Sequence, residues 1–101
     1  MADLVRVASV KEIPAGQGKT VEAEGKTIAV FNCGGTFYAI DNTCQHEGGP
    51  LGEGELAGTV VTCPWHGWTY DVTTGASPDD PACAVEKYEV KVEGDDVLVK
   101  P

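Results

Sequence analysis

Short apolar runs with a repeat of two residues constrain the fold of this chain more than any other feature. Apolar and polar residues alternate in segment 85–92, while segments 27–31 and 36–40 are short runs rich in apolar and aromatic residues. Such alternation places the apolar side chains on one face of a strand. Glycine-containing turns separate the runs, and no stretch of ten residues carries the apolar stripe of a helix. The sequence therefore predicts an all-β fold, either an antiparallel sandwich or a small barrel.

The apolar runs are unevenly spread along the 101 residues. Eight of them are predicted to be strands: 4–8, 20–23, 27–31, 36–40, 59–62, 68–71, 85–92 and 97–99. Strand signals thin out between residues 41 and 83, where four of the six prolines, both histidines and both tryptophans lie. The length indicates a single domain over 1–101. Because long loops in a compact domain usually carry function, we expect residues 41–83 to be a site-bearing insert. Residues 1–40 and 84–101 would form a β base.

The charge balance limits the classes of partner. Sixteen acidic residues against seven basic ones give a formal net charge of −9. Nucleic acids and anionic membranes bind clustered Lys and Arg, which this chain lacks. No apolar run is long enough to span a bilayer, and the first residues lack the pattern of a signal peptide. We therefore expect a cytoplasmic protein whose acidic surface either keeps it soluble or speeds its encounter with a basic protein partner.

The two histidines identify the candidate site, because each follows a cysteine closely. One group is Cys44-Gln45-His46 and the other is Cys63-Pro64-Trp65-His66. Two sulfur and two nitrogen ligands suit tetrahedral Zn²⁺ or an iron–sulfur centre. Structural zinc sites usually take like ligands from each short element, whereas each loop here supplies one of each kind. Two such loops side by side can place both sulfurs on one metal and both nitrogens on another.

The spacing Cys44-x-His46, sixteen residues, Cys63-x-x-His66 resembles the motif of the Rieske-type [2Fe–2S] ferredoxins of bacterial ring-hydroxylating oxygenases. The flanking segments 46–51 and 63–68 are similar as well, and so is the length. The resemblance implies one [2Fe–2S] cluster, with an inner iron held by Cys44 and Cys63 and an outer iron held by His46 and His66. It also implies an electron carrier rather than an enzyme. Its partners would be a flavin-dependent ferredoxin reductase and a terminal oxygenase, and the isolated protein would be a monomer.

Other functions stay open on the sequence alone. The nearest alternative is the small subunit of an assimilatory nitrite reductase, which the same resemblance covers. A domain of a larger oxygenase is disfavoured because the sequence stops soon after its last predicted strand. From another class comes a structural zinc-binding module, which would be colourless and redox-silent. A hydrolytic triad is not supported, because both histidines are already assigned as ligands.

The resemblance also bears on the reduction potential. Respiratory members of the family have an additional disulfide and a serine donor near the cluster, where this chain has Gly49, Trp65 and Trp68. Fewer donors to the cluster favour a potential toward the low end of the Rieske range. Tyr70 matches a family tyrosine that donates to a ligand cysteine, although a plain core aromatic is the alternative.

The remaining candidate residues lie around this motif. Cys33 and Cys83 are expected to be small buried thiols rather than disulfide or redox partners. Segment 77–81 resembles the family's proline loop, which covers the cluster. Leu51 and Trp65 are expected to form an apolar rim around the imidazoles, with core packing as the alternative.

Overall fold

The computed structural model describes residues 4–42, 50–64, 67–78 and 84–100. Nine strands lie in these ranges: β1 Val5–Ser9, β2 Gly18–Ala23, β3 Lys26–Cys33, β4 Thr36–Asp41, β5 Glu55–Ala57, β6 Val60–Thr62, β7 Thr69–Asp71, β8 Lys87–Glu93 and β9 Asp96–Lys100. Two short 3₁₀ helices, Val10–Glu12 and Leu51–Glu53, complete the described elements.

The strands form two antiparallel sheets. Six of them follow the order β1-β9-β8-β4-β3-β2. The outer strands β1 and β2 approach each other, so this sheet curls into a nearly closed barrel. The other three follow the order β5-β6-β7. The predicted all-β antiparallel fold is therefore confirmed.

Two apolar cores lie on opposite faces of β3 and β4. The base core consists of Ala8, Ile13, Val21, Ala23, Ile28, Val30, Ala39, Tyr88, Val97 and Val99. The second core consists of Ala29, Phe31, Ile40, Leu51, Val61, Cys63, Tyr70, Val72 and Val85. Strand β3 contributes alternate residues to the two, which is why its central run is buried on both faces. Each fully buried large apolar side chain stabilises the fold by about 1.5–3 kcal/mol.

The β3–β4 hairpin shows how glycine sets the register of the two strands that lie between the cores. Cys33 pairs with Thr36, which leaves a two-residue turn of Gly34 and Gly35. Both glycines have positive φ, 66° and 104°. Two-residue hairpin turns of this kind favour residues that tolerate positive φ at both positions. The turn therefore fixes which side chains of β3 and β4 face each core.

All eight predicted strands are confirmed, with ends displaced by one or two residues. Strand β5 was not predicted, because three residues between glycines are too few to show alternation. The six-stranded sheet is built from residues 5–41 and 87–100, and the three-stranded sheet from residues 55–71. The division into a base and an insert at residues 41 and 83 stays a prediction. Within the described part of the chain, no helix is long and apolar enough to cross a membrane.

Candidate metal centre

Of the four predicted ligands, Cys63 is the one that lies among the described residues. It directly follows β6 and is 2% exposed. Its backbone N–H donates to the Trp68 carbonyl at 2.7 Å, which extends the pairing of β6 and β7 by one residue. Gly67, later in this loop, has a φ of 74°, a conformation that residues with a Cβ rarely adopt. Cys44, His46 and His66 lie outside the described residues.

The surroundings of Cys63 are apolar. It belongs to the second core together with Tyr70 and Leu51, both of which are completely buried. The rim predicted for Leu51 is therefore wrong, and the alternative of core packing is confirmed. Its backbone N–H donates to the Asn42 carbonyl at 2.7 Å. Trp65, the other predicted rim residue, lies outside the described residues.

A clasp around Asn42 joins the two ends of segment 43–49, which contains Cys44 and His46. The Asn42 carbonyl accepts from Leu51 N–H at 2.7 Å. Its side-chain Oδ1 accepts from Gly52 N–H at 2.7 Å and from Thr20 Oγ1 at 3.1 Å. The residues before and after the segment are therefore bonded directly to each other and to β2.

A second clasp joins the ends of segment 79–83. An isolated antiparallel bridge pairs Ala76 with Ala84. Val85 N–H donates to the Gly75 carbonyl at 2.8 Å, and Gly75 N–H donates to the Asp71 carbonyl at 2.7 Å. The predicted proline cover begins here with buried Ser77 and exposed Pro78, and its residues 79–81 lie outside the described ranges.

These connections border one apolar core. Leu51 after the first segment, Cys63 before the second and Val85 after the third all belong to the second core. A metal centre between the loops would therefore take a sulfur ligand from a site that largely excludes water. The described residues fit such a centre, because Cys63 and both ends of the loop carrying Cys44 and His46 meet at the same core.

Cys33 differs from Cys63 in setting. It is a free thiol, as expected, and it packs against the second core, but it is half-buried rather than buried. Its position at the end of β3, beside an exposed glycine turn, leaves one side open. Burial raises the pKa of this thiol, and the Asp71 carboxylate raises it further. It therefore stays protonated at neutral pH, unlike a metal-binding thiolate. Cys83 lies outside the described residues.

Residues 3–97 match the Rieske [2Fe–2S] domain family. The chain belongs to this family. The match assigns a Rieske-type [2Fe–2S] cluster to the protein, and the structural zinc alternative is set aside. Among the described residues no group of three or more His, Cys, Asp and Glu side chains forms a separate metal site.

Several relatives of similar length are ferredoxin components of dioxygenase systems. The chain is 38% identical to the ferredoxin component of biphenyl 2,3-dioxygenase from Rhodococcus jostii (strain RHA1), over 95% of this chain and 91% of that protein. The ferredoxin of carbazole 1,9a-dioxygenase from Nocardioides aromaticivorans IC177 superimposes with a TM-score of 0.90 at 32% identity, over 99% of both chains. A ferredoxin solved in complex with the reduced oxygenase of carbazole 1,9a-dioxygenase superimposes with a TM-score of 0.85 at 33% identity, over 96% and 92%.

Rieske domains also occur in much longer proteins. The chain is 35% identical to apoptosis-inducing factor 3 from Homo sapiens over 95 residues, which are 93% of this chain but 16% of that protein. Membership of the family therefore fixes the domain and its cofactor, while the activity and partners of the whole protein are proposals.

Sequence reasoning missed two positions that hold the ends of these loop segments together. Asn42 gives no local signal, because its partners Thr20 and Gly52 lie far from it in the chain. Gly75 could have been found, since Asp71-x-Thr73 before it favours an Asx turn. The Asp71 carboxylate indeed accepts from Thr73 N–H at 2.9 Å and from Thr73 Oγ1 at 2.6 Å.

Proposed function

We propose that this protein is a one-electron carrier, the ferredoxin component of a bacterial ring-hydroxylating oxygenase system, and that it has no catalytic activity of its own. The observation that carries the proposal is similarity over nearly the whole of both chains to proteins of that role, at 38% identity in the biphenyl case. The match to a free-standing ferredoxin over 99% of both chains supports it in three dimensions.

The four ligands of the cluster are proposed to be Cys44, Cys63, His46 and His66. When bound, a cluster of this type takes up and releases one electron, and its imidazole ligands make it easier to reduce than an all-cysteine cluster. The role of the polypeptide is to fix the positions of these ligands. Cys63 is fixed by its backbone bond to Trp68 and is shielded from water by the second core. Polar groups already oriented in a dry site need little rearrangement when the charge changes.

The proposed partners are a flavin-dependent ferredoxin reductase, which supplies the electron, and a terminal oxygenase, which takes it. A relative at 33% identity has been captured with its oxygenase, which supports the second partner. The reductase is inferred from the family resemblance. Nucleic acid and membrane are not proposed as partners, and a cytoplasmic monomer is the expected state. The nitrite reductase alternative stays a prediction that the high-coverage ferredoxin relatives do not favour.

Visible and EPR spectra recorded before and after dithionite reduction test this proposal. We expect absorption and an EPR signal of a Rieske cluster, with two irons and two sulfides per chain. A redox titration should give a midpoint toward the low end of the range of about −150 to +300 mV. A colourless protein without iron would overturn the proposed function, and a midpoint above about +200 mV would contradict the expected shortage of hydrogen-bond donors.

The net negative charge of the chain is concentrated in residues 41–83. This segment contains seven of the sixteen acidic residues and none of the seven basic ones. Glu53 and Glu55, which lie next to the Asn42 clasp, are exposed. Opposite charges on two proteins speed their encounter, and dissolved salt screens that attraction. The proposed ligand-bearing part of the molecule is therefore suited to meet a basic surface on the oxygenase.

We accordingly expect electron transfer from the reduced protein to a terminal Rieske oxygenase to slow about tenfold between roughly 0.01 M and 0.5 M salt. Stopped-flow oxidation under anaerobic conditions measures this rate. The double variant E53Q/E55Q should flatten the salt dependence, whereas E22Q/E24Q removes the same charge from exposed positions of the six-stranded sheet and its turn and should not. Equal effects of the two variants, or a rate indifferent to salt, would exclude steering by this segment.

A further inference from the structure

The Asn42 side chain is a buried polar group with partners on two separate elements. Asn42 is 7% exposed, directly after β4. Its Oδ1 accepts from Gly52 N–H at 2.7 Å and from Thr20 Oγ1 of β2 at 3.1 Å. Its backbone N–H donates to the Thr27 carbonyl of β3 at 3.2 Å. One side chain thus bonds Gly52, three residues after segment 43–49, to the six-stranded sheet.

Close packing makes this contact specific. A Cβ atom at Gly52 would overlap Thr20 Oγ1 and would lie 2.9 Å from Asn42 Oδ1. The backbone at Gly52 therefore approaches the Asn42–Thr20 pair as closely as a residue without a side chain permits. A displacement of the Asn42 oxygen would therefore break its bond to Gly52, which lies beyond the segment that contains Cys44 and His46.

We propose that Asn42 is a positioning residue for the first ligand loop, and that its Oδ1 fixes the separation of the loop ends so that Cys44 and His46 are held ready for the cluster. This inference rests on the proposed function and its ligand set. Asn42 does not touch the cluster in this scheme. It acts through Gly52 and Leu51, whose N–H groups bond to its side-chain and backbone oxygens respectively.

Asn32 supplies a matched control. It is 8% exposed, and it also joins separate parts of the chain through its side chain. Its Nδ2 donates to the Ile13 carbonyl at 2.8 Å, and its Oδ1 accepts from Gly35 N–H at 2.7 Å. It lies five residues along β3 from Thr27, roughly 16 Å away, and three residues from Ala29, the partner of Thr20, roughly 10 Å away. Asn32→Ala therefore removes a buried amide of the same kind away from the ligand loop.

The test compares how fast the cluster is lost from purified holoprotein in excess iron chelator, followed by visible absorbance. Asn42→Ala should lose its cluster at least about tenfold faster than Asn32→Ala, because removal of Oδ1 leaves the buried Gly52 N–H and the half-buried Thr20 hydroxyl without their acceptor. It should also broaden the EPR signal of the reduced protein. Both variants should show similar losses in thermal midpoint. Thr20→Val removes one of the two donors to Oδ1 and should give an intermediate rate.

The outcomes separate this inference from the proposed function. Iron missing from the wild-type protein defeats the proposed function itself. If the wild type holds its cluster but Asn42→Ala releases it no faster than Asn32→Ala, then Asn42 is merely structural and the inference is wrong. Should Asn42→Ala fail to fold, Thr20→Val decides: a rate above that of Asn32→Ala supports the inference, and an equal rate overturns it.

Discussion

Replacing Cys63 with alanine should abolish cluster binding, whereas the same change at Cys33 should leave it intact. Cys63 is 2% exposed and lies in the second core, bordered by the loops that contain the other proposed ligands. Its loss removes one of the two proposed thiolates, and an alanine offers no substitute atom. Cys33 packs against the same core, but its raised pKa keeps it a neutral thiol. The pair therefore compares two cysteines of one core that differ in proposed role.

Iron and acid-labile sulfide analysis measures the difference. Wild type and Cys33→Ala should each contain close to two irons and two sulfides per chain, and Cys63→Ala close to zero. Circular dichroism of the three proteins establishes that the β fold is retained. A Cys63→Ala protein that still carries the Rieske spectrum would remove Cys63 from the ligand set, and loss of the cluster from Cys33→Ala would place Cys33 in it.

Gly75→Ala should be the more damaging of two glycine substitutions made at nearly the same backbone angle. Gly75 has a φ of 84° and Gly25 a φ of 82°. Left-handed backbone costs a residue with a Cβ about 1–2 kcal/mol at either site. At Gly75 the new Cβ would also overlap the Val85 carbonyl oxygen, whereas at Gly25 no atom of the described residues lies within 4 Å. Overpacking against backbone adds about 1–3 kcal/mol, so Gly75→Ala should cost roughly 3 kcal/mol in total.

Thermal unfolding resolves a difference of this size. In a domain of about this length each kcal/mol lowers the midpoint by about 4–8 °C. We expect the thermal midpoint to fall by about 5–10 °C in Gly25→Ala and by at least about 12 °C in Gly75→Ala. The second clasp contains the bond from Val85 N–H to the Gly75 carbonyl, so Gly75→Ala should also weaken closure of segment 79–83. Equal midpoints for the two variants would show that the backbone at Val85 shifts to accommodate the new Cβ without loss of stability.

Local sequence was enough to predict the strands, because alternation and turn glycines act within a few residues. Segment 36–40, for example, follows the turn of Gly34 and Gly35 and pairs with β3 as expected. Strand β5 has no such signal. It depends on the tight turn at Gly58, where φ is 63°, and on half-buried Leu56, which packs against the second core.

The candidate site also has a part that could be predicted from local sequence and a part that could not. The Cys and His motif is dense enough in sequence to indicate its chemistry, and the family match agrees with it. The groups that support the loops could not be predicted, because Asn42 and Thr20 are 22 residues apart and meet only once the sheet is built. Leu51 was misplaced for a related reason. Leu51 follows the proposed ligand His46 by five residues, and its burial becomes evident only from the packing of the second core.

The alternation of β3 between two cores has a consequence for assembly. A slip of one residue in this strand would exchange Ile28 and Val30 with Ala29 and Phe31 and would spoil the packing on both sides at once. A misregistered barrel with an intact second core is therefore strongly disfavoured. A chain that completes its barrel in this register has therefore also formed the β3 side of the second core, which contains Cys63.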